Sequence, residues 1–157
     1  MKKFLRYSFL LFTIFSHTVS HASERLSFGI GSSALYNGWG INVAYITSAD
    51  FKYVSLGCHD FLSASGYESS SNCGVGAGWI TPSILSEGNK HGIGVHVSAN
   101  HNTFNNLNET VYFIGIPYIY DPGGISSGGW YVGFTPAIAM YSTGTKTKFW
   151  LNWGYQF

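Results

Sequence analysis

The last nine residues, Phe149-Trp150-Leu151-Asn152-Trp153-Gly154-Tyr155-Gln156-Phe157, alternate without a break. One face reads Phe149, Leu151, Trp153, Tyr155 and Phe157; the other reads Trp150, Asn152, Gly154 and Gln156. A period of two marks a β-strand with one apolar face and one polar face. This segment reads as a strand that ends on an aromatic residue.

Runs of the same character recur along the sequence and predict eight strands, at 25–35, 38–47, 51–59, 72–81, 91–100, 109–120, 129–141 and 145–157. A transmembrane β-strand needs about 9–11 tilted residues, and these runs match. The alternation is clearest late in the chain. Ile93, Val95 and Val97 oppose Gly92, Gly94, His96 and Ser98, and Trp130, Val132, Phe134, Pro136 and Ile138 oppose Tyr131, Gly133, Thr135, Ala137 and Ala139. One face is apolar throughout, and the other carries glycine, alanine, serine, asparagine and a few larger polar residues. The pattern predicts an eight-stranded antiparallel up-and-down transmembrane β-barrel, whose interior is only wide enough to be filled by side chains. A general diffusion pore is disfavoured. Low charge (10%), 20 glycines and 18% aromatics suit a wall that meets lipid outside and a narrow lumen inside. The five tryptophans are expected near the membrane interfaces.

The start of the chain agrees. Lys2, Lys3 and Arg6 precede an apolar run, Phe9-Leu10-Leu11-Phe12-Thr13-Ile14-Phe15, and Ser20-His21-Ala22 supplies small residues for cleavage. This reads as a secretory signal peptide over 1–22, leaving a barrel domain over 23–157. Without the leader, five basic residues remain against seven acidic ones, a net charge of −2. With no basic patch, nucleic acid is not expected as a partner.

With a periplasmic N-terminus, outside loops fall near 36–38, 60–72, 100–108 and 142–144. The second is long and polar, and the third is rich in asparagine. The turn Asp121-Pro122-Gly123-Gly124-Ile125-Ser126-Ser127-Gly128 is longer than such turns usually are. Cys58 and Cys73 bracket the second loop and are expected to form a disulfide in an oxidising compartment. No metal or cofactor is expected: His59-Asp60 offers two adjacent ligands without a third, and the glycine pairs within strands lack the strand-to-helix turn of a phosphate loop.

The terminal pattern Trp153, Tyr155, Phe157 resembles the assembly signal of bacterial outer-membrane barrels. The architecture resembles the class of outer-membrane protein X and the membrane domain of outer-membrane protein A. That resemblance implies a Gram-negative outer-membrane location, contact with outer-membrane lipids and lipopolysaccharide, and recognition by the barrel-assembly machinery through the last strand. It also implies a structural or surface-interaction role, with loops 60–72 and 100–108 as contact sites. A second resemblance implies an enzyme. His96 and Ser98 share one strand face, and Glu109 begins the next strand; the set looks like the His-x-Ser…Glu constellation of outer-membrane lipid A deacylases. Here Ala99 stands where that family has asparagine. The resemblance implies an imidazole-activated serine with Glu109 orienting the ring; the bland alternative is that His96 and Ser98 are lumen-facing polar residues sharing hydrogen bonds. Pro117 and Pro136, inside strands, cannot donate ladder hydrogen bonds and are expected to mark bulges or a local gap. Such a gap resembles the lateral lipid entry of lipid A palmitoyltransferases, whose loop histidine and N-terminal helix have no counterpart here.

Overall fold

The computed structural model describes residues 24–59, 72–82, 84–85, 88–104 and 107–157. The expected leader, Asp60 and residues 61–71 of the second loop lie outside that set. The strand segments are β1 (Arg25–Ser33), β2 (Gly38–Ile46), β3 (Phe51–His59), β4 (Asn72–Thr81), β5 (His91–Phe104), β6 (Leu107–Gly115), β7 (Tyr118–Tyr120), β8 (Gly129–Tyr141) and β9 (Gly144–Gln156). Successive strands pair antiparallel, and β9 pairs back onto β1. Because β6 and β7 share both neighbours, β5 and β8, they are two halves of one barrel strand. The sheet is thus a closed eight-stranded antiparallel barrel.

The register sets its shape. Paired residues run round the wall from Gln156 through Gly29, Asn42, Ser55, Gly76, Ser98, Phe113 and Ala139 to Lys146. The walk returns to β9 at residue 146 instead of 156, a shear of ten. For eight strands that shear tilts each by about 40°. Alternation then sorts the side chains as the sequence predicts. On β1, Leu26, Phe28 and Ile30 point outward and are 56–65% exposed, while Ser27, Gly29 and Gly31 point inward and are buried.

The expected proline bulges are absent. His96 pairs with Gly115 before the break and Ile93 with Tyr118 after it, so three residues pass on each strand. The same holds on the β8 side, from Gly115–Ala137 to Tyr118–Phe134. Gly94 N–H donates to Pro117 O and Ile116 N–H to Pro136 O, both at 3.0 Å. Each proline lacks only the reciprocal donor, so the ladder loses single bonds on opposite sides of one strand while its register continues.

Two connections fold inward. Ser33 Oγ accepts the Leu35 N–H at 2.9 Å and starts a 3-10 turn, Ala34–Tyr36; Asn37 in the left-handed region and Gly38 at φ 99° end it. Asparagine and glycine tolerate that conformation. Residues read as the end of a strand and a short outside loop therefore form a plug, with Ala34, Leu35 and Tyr36 all buried in the lumen. At the opposite end, the long turn over 121–128 carries Ile125 into the barrel base. Asp121 Oδ1 accepts from Gly123 N–H at 2.8 Å, Ser127 Oγ donates to Gly123 O or Gly124 O, and Ile125 N–H reaches Asn89 O at 2.8 Å. Burial raises the Asp121 pKa, offset in part by the Gly123 and Gly124 N–H groups and by Arg25. The unusual length of this turn is the length needed to seat Ile125 beside Ile80 and Ile119.

Candidate functional site in the lumen

Glycines on the inner wall decide what fills the barrel. A Cβ on Gly31 or Gly154 would lie 2.3 or 2.4 Å from the Tyr36 ring, and one on Gly78 would lie 2.4 Å from Tyr53 Oη. Large rings from one strand or turn thus occupy space left by glycines on others. Tyr36 stacks on Tyr131 at 6.0 Å, and Leu35, Phe51, Tyr53, Ile80, Ile119 and Ile125 complete an apolar plug through the lower half. A second cluster, Val111, Phe113 and Ala139 with Tyr141 and Trp150, lies toward the upper end. There the His59 ring stacks on Trp150 at 5.2 Å, and Phe113 meets Trp150 at 5.1 Å.

Polar residues form a belt between these clusters. His96 and Ser98 do share the lumen face, and both are buried. The imidazole is held by a residue that sequence reasoning missed: His96 Nδ1 lies 2.9 Å from Tyr53 Oη, and the two rings stack at 5.9 Å. The available signal was Tyr53 on an inward position opposite Gly78, a large ring facing a missing side chain. Ser98 Oγ has no hydrogen-bond partner, so no nucleophile–base contact is formed. The expected orienting role of Glu109 is corrected. Gly115, not Glu109, stands opposite His96, and Glu109 pairs with Asn102, six residues further along β5. At about 3.3 Å per residue, that separation is about 20 Å. The Glu109 carboxylate instead accepts from Ser142 N–H. Thr135 and Asn152 satisfy one another across β8 and β9, with Asn152 Nδ2 donating to Thr135 Oγ1 at 2.9 Å.

The remaining sequence-predicted residues occupy the wall. Cys58 and Cys73 are directly opposed on β3 and β4, form a disulfide, and have Cα atoms 3.9 Å apart. They belong to the outward-facing set, and the link closes the base of the 60–71 segment. Trp153, Tyr155 and Phe157 line the outer face of β9. The main chain of Phe157 is tied to β1: its N–H donates to Phe28 O at 2.7 Å and its carbonyl accepts from Ser27 Oγ at 2.5 Å. Among the described residues no group of three His, Cys, Asp or Glu side chains could hold a metal ion.

What this arrangement can do follows from its packing. Rings and aliphatic side chains pack the described lumen, His96 is hydrogen-bonded to Tyr53, and Ser98 has no base beside it. Among the described residues, His96, Ser98 and Glu109 are not joined by hydrogen bonds to one another. No family model, curated protein or solved structure matches the chain.

Proposed function

We propose that this chain is an integral barrel of a bacterial outer membrane, with a structural or surface-interaction role and no transport path through its lumen. The outer face carries the argument. From Trp130 to Met140, every outward position of β8 is apolar. Those eleven residues, at the strand tilt, give a band about 25 Å tall, the height of the lipid-facing band of such barrels. Polar tips frame its lower edge. Trp79 Nε1–H donates to Asp50 Oδ1 at 2.6 Å, Tyr45 Oη–H donates to Glu24, and Tyr118 Oη lies 2.8 Å from His91 Nδ1. Aromatic rings with an apolar body and a hydrogen-bonded polar end suit a membrane–water boundary. Above the band the outward positions turn polar, with His101 and Thr103 on β5 and Thr145 on β9.

In this reading, lipid and lipopolysaccharide surround the band, and the assembly machinery engages Trp153, Tyr155 and Phe157. The loops over 60–72 and 100–108 meet surface partners. The test is fractionation of cells expressing the full chain, followed by extraction of membranes at high pH. Protein retained in the outer membrane, with silent planar bilayers, is the expected result. Release into the soluble fraction refutes the reading. Lipid A mass spectra from the same cells address the enzyme alternative: a gain or loss of one acyl chain that disappears with Ser98→Ala would replace the structural role with catalysis.

A further inference from the structure

Across β8 and β9 the outward face is ridged by large rings, such as Trp130 against Tyr155 and Phe134 against Phe149. Across β2 to β6 it is hollowed instead into an apolar trough of about 650 Å³. Ile41 begins the trough and Tyr112 ends it; Leu56 and Val97 stand along its sides, with Ala77 and Ala99 as the low points. Ile41, Leu56, Val75, Ala99 and Tyr112 are consecutive register partners, so the trough runs perpendicular to the strands. The inward residues beneath it, Ser55 and Ser98 among them, point their side chains to the lumen, and Gly76 has none, so the floor there is main chain.

We propose that this trough seats a single acyl chain of a lipid in the leaflet bordering the upper end of the barrel, where the β8–β9 hairpin turns. The proposal rests on the membrane reading above. Four inter-strand steps make the trough about 19 Å long, and the strand tilt makes it climb about 12 Å toward that upper end. That rise approaches the depth of one leaflet, about half of a 30 Å hydrocarbon core. Its upper end also carries the matching polar groups. Beyond Ala99 and Tyr112, the next outward residues are His101 and Thr110, which oppose each other across β5 and β6 and are exposed. A headgroup would meet an imidazole and a hydroxyl there, while the chain descends toward Ile41 over surface with almost no polar atoms. Size argues against a second copy. Two residue rows about 7 Å apart over 19 Å cover an area on the order of 130 Å², far below the roughly 800 Å² per partner of a stable protein interface.

The test uses the full barrel reconstituted in vesicles of phosphatidylethanolamine and phosphatidylglycerol. A trace of phospholipid carries a photoreactive group either near the acyl carboxyl or at the terminal methyl. After illumination, adducts are mapped by peptide mass spectrometry. The expected result is several-fold enrichment on the trough over the opposite face at Phe149 and Leu151. The carboxyl-end probe should mark the Tyr112 end and the methyl-end probe the Ile41 end. Ala77→Phe with Ala99→Phe, outward substitutions that leave the lumen unchanged, should abolish the enrichment. Even labelling around the band overturns the trough while leaving the membrane reading intact. Absence of adducts on every outward strand position overturns both. Protein–protein cross-links through the trough in place of lipid adducts overturn it in favour of a second copy.

Discussion

Gly154 and Tyr36 allow the plug to be tested by a change of sign. The three atoms nearest a Cβ on Gly154 would all belong to Tyr36: Cε2 at 2.4 Å, Oη at 2.5 Å and Cζ at 2.8 Å. Tyr36 has no room to retreat, because it is fully buried against Tyr131 and beside Gly29 and Gly31. Gly154→Ala should therefore cost about 1–3 kcal/mol as overpacking. Tyr36→Ala should cost about 3–5 kcal/mol, the range for removing a large buried ring. In the Tyr36→Ala background the obstruction is gone, and alanine regains its ordinary advantage over glycine within a strand, roughly 0.5–1 kcal/mol. Gly154→Ala should then turn from destabilising to neutral or stabilising, a coupling of about 1.5–4 kcal/mol between the two sites. Urea unfolding of the four proteins, read by tryptophan fluorescence, completes the cycle. Additive costs would refute the inward placement of the 34–37 turn, since a Tyr36 outside the lumen cannot sense residue 154.

Other outcomes follow from the wall and its ends. Reducing the Cys58–Cys73 link, which spans 15 residues, should lower stability by about 3 kcal/mol in the chain-entropy model, measured as a shift of the urea midpoint with and without reductant. Ser98→Ala should leave that midpoint nearly unchanged, because its hydroxyl makes no hydrogen bond; a large loss would reveal a partner for Ser98. Asp50 sits in a turn, and the indole N–H of Trp79 holds its carboxyl below the usual value. A depressed pKa stabilises the fold above the unfolded value of about 3.9 and loses that contribution as pH falls through the lower, folded value. Trp79→Phe should accordingly flatten the acid limb of the stability profile below about pH 4, and an unchanged limb would count against the pair. Deleting Phe157 removes its N–H bond to Phe28 O and its acceptor for the Ser27 hydroxyl and should open the barrel seam, seen as faster hydrogen exchange along β1.

The wall was legible because its pattern is local. Period-two alternation from residue 91 onward places side chains inside or outside regardless of what they touch, and the cysteines at 58 and 73 are neighbours once β3 and β4 are paired. The plug was not legible because its cause is distributed. Ala34-Leu35-Tyr36 resembles the continuation of a strand, and only Gly31, Gly154 and the other ring-facing glycines, far apart in sequence, reveal that a ring must fit among them. Ile125 in a glycine- and serine-rich turn was the one local trace of the lower plug. His96 and Ser98 were correctly placed on one face, but a shared face does not supply a base: Tyr53, 43 residues away, takes the imidazole. The prolines were legible in part: the strand is interrupted at Ile116-Pro117, between β6 and β7, while β8 runs unbroken through Pro136. A missing N–H forbids one hydrogen bond, and the neighbouring register pairs are sufficient to carry the strand past it.

The closing seam has a consequence for how the molecule is made. Only four residue pairs join β1 to β9, from Gly29–Gln156 to Ser32–Trp153, against thirteen between β8 and β9. Bringing residues 29 and 156 together closes a chain about eight times longer than the one between Cys58 and Cys73, an entropic penalty larger by about 2 kcal/mol. Neighbouring hairpins can zip early, and this short, distant seam is left for last. Until it seals, the growing sheet carries two unpaired edges, each a template for another chain. The concentration of unfinished protein, more than the stability of the finished barrel, then sets the yield.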